Sequence, residues 1–150
     1  ESKHNLMYWM NRPFLGVGPG AHSYLFKSRF NNIKSPNTYI SKYLGSKTFC
    51  IGSEHFENDQ DLLLQIPSVE NIEPIDKYLE MGETMMLGLR LNRGIKGVEF
   101  ENRFGISVSE VFGETLKDLT EHKLVKYSDG VYGLTQKGRL LGNEVFSRFF

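Results

Sequence analysis

Leu124-Val125-Lys126-Tyr127-Ser128-Asp129-Gly130-Val131-Tyr132-Gly133-Leu134 is the stretch whose reading decides the fold of this chain. Two short runs of β-branched, aromatic and aliphatic residues flank Asp129-Gly130, a dipeptide that accepts the positive φ angles of a tight hairpin turn. Upstream, Ser107 and Glu110 have the spacing of a capping box, with apolar residues following at Val108, Val111, Phe112, Leu116 and Leu119. That pattern predicts a helix running to about His122. Residues 98–104 form a shorter helix before it, with Gly105 as the turn between the two. Downstream, Thr135 caps a last helix that carries Leu140, Leu141, Val145 and Phe149. Helix, helix, hairpin, helix is the order of a winged helix. Burial of these faces, at roughly 1.5–3 kcal/mol per large side chain, would hold the unit together.

A winged helix invites a nucleic-acid reading, and the charges oppose it. The helix after Ser107 carries Glu110, Glu114, Asp118 and Glu121 against Lys117, with Lys123 beyond its end. The wing tip, Ser128-Asp129-Gly130, offers no cation. Phosphate contacts dominate DNA affinity, so a net-acidic recognition helix is repelled. A structural or docking role fits better, and no nucleic-acid partner is expected.

Moving toward the N-terminus, Ile75, Tyr78, Leu79, Met85, Met86 and Leu89 form an apolar stripe at three- and four-residue spacing. That period predicts a helix, and a Met-rich stripe of this kind is core rather than a cofactor box. Gly82 and Gly88 each weaken it by about 1 kcal/mol relative to Ala, which predicts a close packing partner there. Asn92-Arg93-Gly94 ends it. Glu83 and Arg90, two turns apart, read as partners in a structural ion pair with another element. Further upstream, Ser35 caps and Pro36 opens a short helix with Tyr39, Ile40, Tyr43 and Leu44 as its apolar face and Gly45 at its end. Residues 47–73 are the least regular and read as a linker, with extended pieces at Thr48-Phe49-Cys50-Ile51 and Gln65-Ile66-Pro67.

The opening of the chain reads differently. His4-Asn5-Leu6-Met7-Tyr8-Trp9 is followed by Phe14-Leu15-Gly16-Val17-Gly18-Pro19-Gly20-Ala21-His22-Ser23-Tyr24. Residues 1–30 read as the last strand or two of a larger sheet, with residues 14–17 a buried strand closed by a glycine turn. Successive N–H groups in such a turn can form an anion-binding concavity. Gly16 to Ala21 also fits G-x-G-x-x-G/A, but a dinucleotide site needs an acid about 20 residues on. No Asp or Glu occurs in residues 2–53, and Pro19 removes a donor, so the nucleotide reading fails.

His4-Asn5-x-x-Tyr8-Trp9, the segment 16–24, Arg29 with Asn31, and Glu83-x-Met85-Met86-Leu87-Gly88-Leu89-Arg90 together resemble the oxygen-independent coproporphyrinogen III oxidase-like proteins. Within that radical S-adenosylmethionine family the resemblance is to the haem chaperone branch, and it runs over the whole chain. It implies an α+β fold: the terminal strands of a radical S-adenosylmethionine barrel, then a mainly helical, winged-helix-like C-terminal domain. The expected divisions are a barrel remnant at 1–35, a helix and linker at 36–73, and the C-terminal domain at 74–150.

The resemblance also implies cofactors: a 4Fe–4S cluster, S-adenosylmethionine and haem in the parent protein. The family's Cys-x-x-x-Cys-x-x-Cys motif supplies three thiolates to the cluster. This chain has a single cysteine, Cys50, and starts Glu1-Ser2-Lys3. It is therefore expected to be the C-terminal part of a longer protein, lacking the N-terminal barrel and inactive as an oxidoreductase alone. The cofactor-contacting positions implied are His4, Asn5, Tyr8, Trp9, Gly18, Gly20, His22 and Arg29, with His4 a candidate haem ligand and no other metal ligand or catalytic group. Imidazole is a good axial ligand for haem iron, and Trp or Tyr rings stack on a porphyrin. The bland alternative is that Tyr8 and Trp9 pack in a barrel wall and His4 is merely hydrogen-bonded. Arg29 could pair with a haem propionate or hold backbone carbonyls. Expected partners are haem or porphyrin, the N-terminal barrel and haem-accepting proteins. The alternative within the family is true coproporphyrinogen decarboxylation.

Charge is arranged in blocks. Residues 2–53 hold seven basic residues and no acid, and residues 54–76 hold seven acids and no base. Such blocks serve as solvated faces or as mutual partners, or the basic one faces an anionic ligand. No apolar run approaches the ~20 residues that span a membrane. The lone cysteine fits a reducing cytoplasm, the expected compartment.

Overall fold

The computed structural model describes residues 3–44 and 59–150, with the backbone alone at positions 3, 4, 59 and 60. Helix α1 (Lys3–Trp9) opens the chain. Next come a hairpin of β1 (His22–Leu25) and β2 (Ser28–Asn32), helices α2 (Pro36–Leu44) and α3 (Asp59–Leu64), and strand β3 (Val69–Pro74). The second half runs through α4 (Lys77–Arg90), β4 (Ile95–Lys96), α5 (Gly97–Phe104) and α6 (Val108–Glu121). It then continues through β5 (Val125–Ser128), β6 (Val131–Leu134), α7 (Gln136–Leu140) and α8 (Gly142–Phe146), closing with a 3-10 turn at Ser147–Phe149. The architecture is α+β. The chain packs as two compact units, one of Arg12–Asp76 and the other of Lys77–Phe150 together with Glu1–Asn11. Packing thus draws its lines elsewhere than the sequence segments 1–35, 36–73 and 74–150, because the first eleven residues belong with the C-terminal half.

In the helical unit, Met81, Met85 and Leu89 of α4 are buried with Phe100 and Phe104 of α5 and Phe112, Leu116 and Leu119 of α6. Phe112 meets Phe149 edge to face, with ring centroids 5.2 Å apart. Both α4 glycines have the close partners expected of them. A side chain at Gly82 would run into the Phe149 carbonyl, and one at Gly88 would lie 3.2 Å from Ile95. The capping box forms as read: Ser107 Oγ accepts from the Glu110 amide, and the Glu110 carboxylate accepts from the Ser107 amide at 3.0 Å. Asp129 (φ 52) and Gly130 (φ 79) make the two-residue turn between β5 and β6, and β4 completes a sheet of order β4-β6-β5.

Three expectations here are corrected. The opening residues are a helix, not a strand, since nothing before Pro13 breaks the i to i+4 ladder, and the Met10 amide still donates to the Leu6 carbonyl. The last helix breaks at Leu141 (φ −106°, ψ 30°), leaving Leu140 exposed while Val145 and Phe149 stay buried. The expected buried strand at 14–17 reduces to Phe14, bridged to Tyr24. Leu15 and Val17 face solvent, 62% and 85% exposed, because the chain swings outward into the glycine turn.

The sheet unit is built on an antiparallel sheet of order β1-β2-β3. Its core is Tyr24, Phe30, Ile33, Leu63 and Ile75. The β1–β2 turn is Phe26-Lys27, both at positive φ (53 and 52), where side chains other than Gly or Asn are strained. Ser35 caps α2 as expected, its Oγ accepting from the Thr38 amide at 3.4 Å. No residue of α2 is buried, so its apolar face, read from Tyr39, Ile40, Tyr43 and Leu44, is not packed into a core. Gln65-Ile66-Pro67 is a turn rather than an extended piece, with the Ile66 amide donating to the Leu63 carbonyl; the strand starts at Val69. The expected strand at Thr48-Phe49-Cys50-Ile51 and the stop at Gly45 lie outside the described residues.

Candidate functional site

The eight site positions fall into two sets of four, one in each compact unit. His4, Asn5, Tyr8 and Trp9 lie on α1. In a helix, residues four apart are one turn apart, so the motif pairs position 4 with 8 and position 5 with 9. Met7, Tyr8 and Trp9 are 41%, 40% and 39% exposed, an unusual concentration of large apolar surface on so short a helix. That exposure excludes Tyr8 and Trp9 from the packed core.

The far end of α1 is held firmly. Asn11, in the left-handed conformation (φ 49), terminates the helix and is itself buried. Its side-chain amide donates to Thr84 Oγ1 at 3.3 Å on α4. From α5, Arg103 donates through Nη1 to the Met10 carbonyl at 3.1 Å and through Nη2 to the Asn11 carbonyl at 2.7 Å. The same Nη2 reaches Glu80 Oε1 at 2.5 Å. A guanidinium at a helix C-terminus satisfies carbonyls that have no partner within the helix, and its charge suits the negative end of the dipole. Sequence reading expected an ion pair from Glu83 or Arg90. A partly buried ion pair from the same helix joins Glu80 to Arg103 of α5, while the Arg90 guanidinium lies 4.5 Å from the Phe146 ring centre. The cluster of Arg103 with Met10, Asn11 and Glu80, and of Asn11 with Thr84, was missed, because no local pattern links residues 23 to 93 positions apart.

The second set surrounds the glycine turn. Its loop is shaped by side chains from within the sheet unit: Asn32 Nδ2 donates to the Gly18 carbonyl at 2.9 Å and to the Gly16 carbonyl at 3.4 Å. Asn32 Oδ1 accepts from Ser68 Oγ at 3.1 Å, and Ser68 Oγ lies 2.8 Å from the Tyr43 hydroxyl. The Gly16 amide donates to Ser23 Oγ and the Gly20 amide to the Ile33 carbonyl, so these two turn donors are engaged by protein acceptors. His22 is exposed at the start of β1. Strand register pairs Tyr24 with Arg29, and Arg29 with Glu73 of β3. The side chains of His22, Tyr24, Arg29 and Asn31 therefore share one face of the hairpin.

The thiolate set implied by the resemblance does not fit this chain, which has one cysteine where a cluster needs three. Among the described residues, no group of His, Cys, Asp and Glu could hold a metal ion. No helix among them is long and apolar enough to cross a membrane.

Comparison with known proteins bears on both sets. Residues 75–141 match the HemN C-terminal domain family. The chain is 36% identical over 149 residues to the heme chaperone HemW of Bacillus subtilis, covering 99% of this chain and 34% of that one. It is 32% identical over 149 residues to the heme chaperone HemW of Lactococcus lactis, with the same coverage. Its fold is similar to that of coproporphyrinogen III oxidase (HemN) from Escherichia coli, described as a radical SAM enzyme. That match has a TM-score of 0.56 at 19% identity, over 92% of this chain and 28% of that one. The chain spans about a third of the length of the curated relatives it matches. By these matches the chain is similar over nearly its whole length to proteins named heme chaperone HemW, and over residues 75–141 to the HemN C-terminal domain, the resemblance that its motifs first suggested.

Proposed function

We propose that this chain is the part of a haem chaperone that presents a haem-contacting helix, α1, on a rigid helical support. The observation that carries this reading is the exposure of Met7, Tyr8 and Trp9 on a helix whose end is clamped by Arg103. Exposed rings held at a fixed position suit stacking on a porphyrin and its later release to an accepting protein. His4 is the candidate axial ligand by chemistry and by the family motif. In the sheet unit, Arg29 is by the family motif a separate candidate for a propionate, its charge being of the sign required. The names of the relatives favour this over coproporphyrinogen decarboxylation. S-adenosylmethionine and the iron–sulfur cluster belong, on this reading, to the remaining two thirds of a full-length relative. Helices α5 and α6 with the β5–β6 hairpin act as a winged-helix-like docking unit in a cytoplasmic protein, consistent with the acidic face of α6.

The test is a haemin titration followed by Soret absorbance, with the chain beside His4→Ala and a Tyr8→Ala/Trp9→Ala double variant. His4→Ala is expected to change the ligation spectrum, and the aromatic pair to weaken binding roughly tenfold or more. Superimposable spectra and affinities for all three proteins would remove the motif from haem contact.

A further inference from the structure

We propose that Arg103 is a positioning residue for the aromatic face of α1, setting the direction of Met7, Tyr8 and Trp9 by capping the end of their helix. The inference rests on the reading of α1 as a haem-contacting element. A seven-residue helix is not stable alone in water, so its orientation is what its anchors impose. Here the anchors converge on two residues. Arg103 holds the carbonyls of Met10 and Asn11, the two residues that follow Trp9. Glu80 fixes the guanidinium at 2.5 Å, and Asn11 reaches back to Thr84 at 3.3 Å and to the Glu80 carbonyl at 3.5 Å.

Two features separate this cluster from an ordinary surface pair. The Arg103 and Glu80 side chains are only 17% and 12% exposed, so water competes weakly for their bonds. The guanidinium fork also reaches two carbonyls and a carboxylate at once, which a lysine ammonium on its flexible stem cannot reproduce with fixed geometry. Arg103 touches backbone rather than ligand, and therefore acts through α1.

Trp9 is the chain's one tryptophan, so its fluorescence reports α1 directly, with or without haem. The experiment compares Arg103→Ala, Arg103→Lys and Thr84→Val with the unsubstituted chain, by Trp9 emission, Trp9 anisotropy and haemin titration. Far-UV circular dichroism checks that each stays folded. Arg103→Ala is expected to give a mobile, solvent-shifted Trp9 and haemin binding weakened roughly tenfold, with Arg103→Lys restoring part of both. Should Arg103→Ala fail to fold, Thr84→Val and Arg103→Lys carry the comparison, each with a smaller shift in the same direction. Unchanged Trp9 emission and anisotropy in folded variants overturns the proposal. So does an altered Trp9 with unchanged haemin affinity. If no protein, substituted or not, binds haemin, the haem reading fails, while the Trp9 comparison still decides whether Arg103 sets the helix.

Discussion

At Asn11, two physical demands meet in one side chain. The backbone is left-handed, a conformation that costs an ordinary residue about 1–2 kcal/mol and that Asn tolerates better. The amide also makes a buried hydrogen bond to Thr84. Substitution separates the two. Asn11→Gly relieves the backbone but loses the bond, and is expected to destabilise the helical unit by about 1 kcal/mol. Asn11→Ala loses the bond and keeps the backbone cost, for about 2–3 kcal/mol in all. Urea unfolding followed by Trp9 fluorescence measures both. Equal losses would mean that the backbone conformation contributes nothing. Glu110 gives a pH dependence. Hydrogen bonds from the Ser107 side chain and then its backbone hold the Glu110 carboxyl below its ordinary value. A carboxyl lowered by folding stabilises the fold above its unfolded pKa, and that contribution disappears as pH falls through the folded one. The unsubstituted chain should therefore be more stable than Glu110→Gln near neutral pH, and the two should converge in acid once the pH falls below the lowered pKa of the folded Glu110. A difference that persists in acid would assign the effect to shape rather than charge.

Among elements, α4 has the most contacts to satisfy. It supplies Met81, Met85 and Leu89 to the core, Thr84 and Glu80 to the α1 anchor, and two glycines to close approaches. Helix propensity alone says that Gly82→Ala should stabilise by about 1 kcal/mol. The Phe149 carbonyl stands where the methyl would go, and overpacking of that kind costs about 1–3 kcal/mol. The clash is with backbone, which cannot swing aside, so the expected result is net destabilisation of about 1–2 kcal/mol by thermal or urea unfolding. Gly82→Ala that raised the melting temperature would show that the 3-10 turn at Ser147–Phe149 yields freely. The β1–β2 hairpin makes the opposite point about legibility. Its turn, Phe26-Lys27, has none of the Asn-Gly chemistry that announces such a turn, and it is held by the pairing of β2 with β3 and by the Ile75 amide donating to the Lys27 carbonyl.

For the molecule as a whole, the grouping of Glu1–Asn11 with Lys77–Phe150 has a direct consequence. Trp9 should report the unfolding of the helical unit and not that of the sheet unit. Its fluorescence transition in urea is expected to superimpose on the loss of the far-UV helical signal, which comes chiefly from α4, α5 and α6. A Trp9 transition at clearly lower urea would mean that α1 detaches before the helical unit melts, and that its anchors are weaker than their geometry implies. If the transitions coincide, the aromatic face and its support form one cooperative body.

The elements that were readable from the residues are ones that depend on neighbours in sequence, whereas α3 and most of β3 fall in the stretch 47–73 read as a linker. The capping box at Ser107 and Glu110, the Asp129-Gly130 turn, the α4 stripe and the Ser35-Pro36 start are each decided by groups within a few positions, where local hydrogen bonds and side-chain period dominate. The family resemblance, too, was legible, because its motifs are short and keep their order. What sequence could not settle were the contests decided by distant groups. The opening motif carries a helical four-residue spacing, yet a short isolated helix is unstable, and the distant Arg103, Glu80 and Thr84 help to hold it. The run 14–17 is apolar enough for a buried strand, and the glycine turn, braced by Asn32, turns Leu15 and Val17 to solvent instead. Local chemistry therefore determined the capped helices and the Asp129-Gly130 hairpin, and tertiary contacts decided how α1 is held and which apolar residues it leaves exposed. The reason is that an exposed short helix gains its stability from partners that its own sequence does not contain.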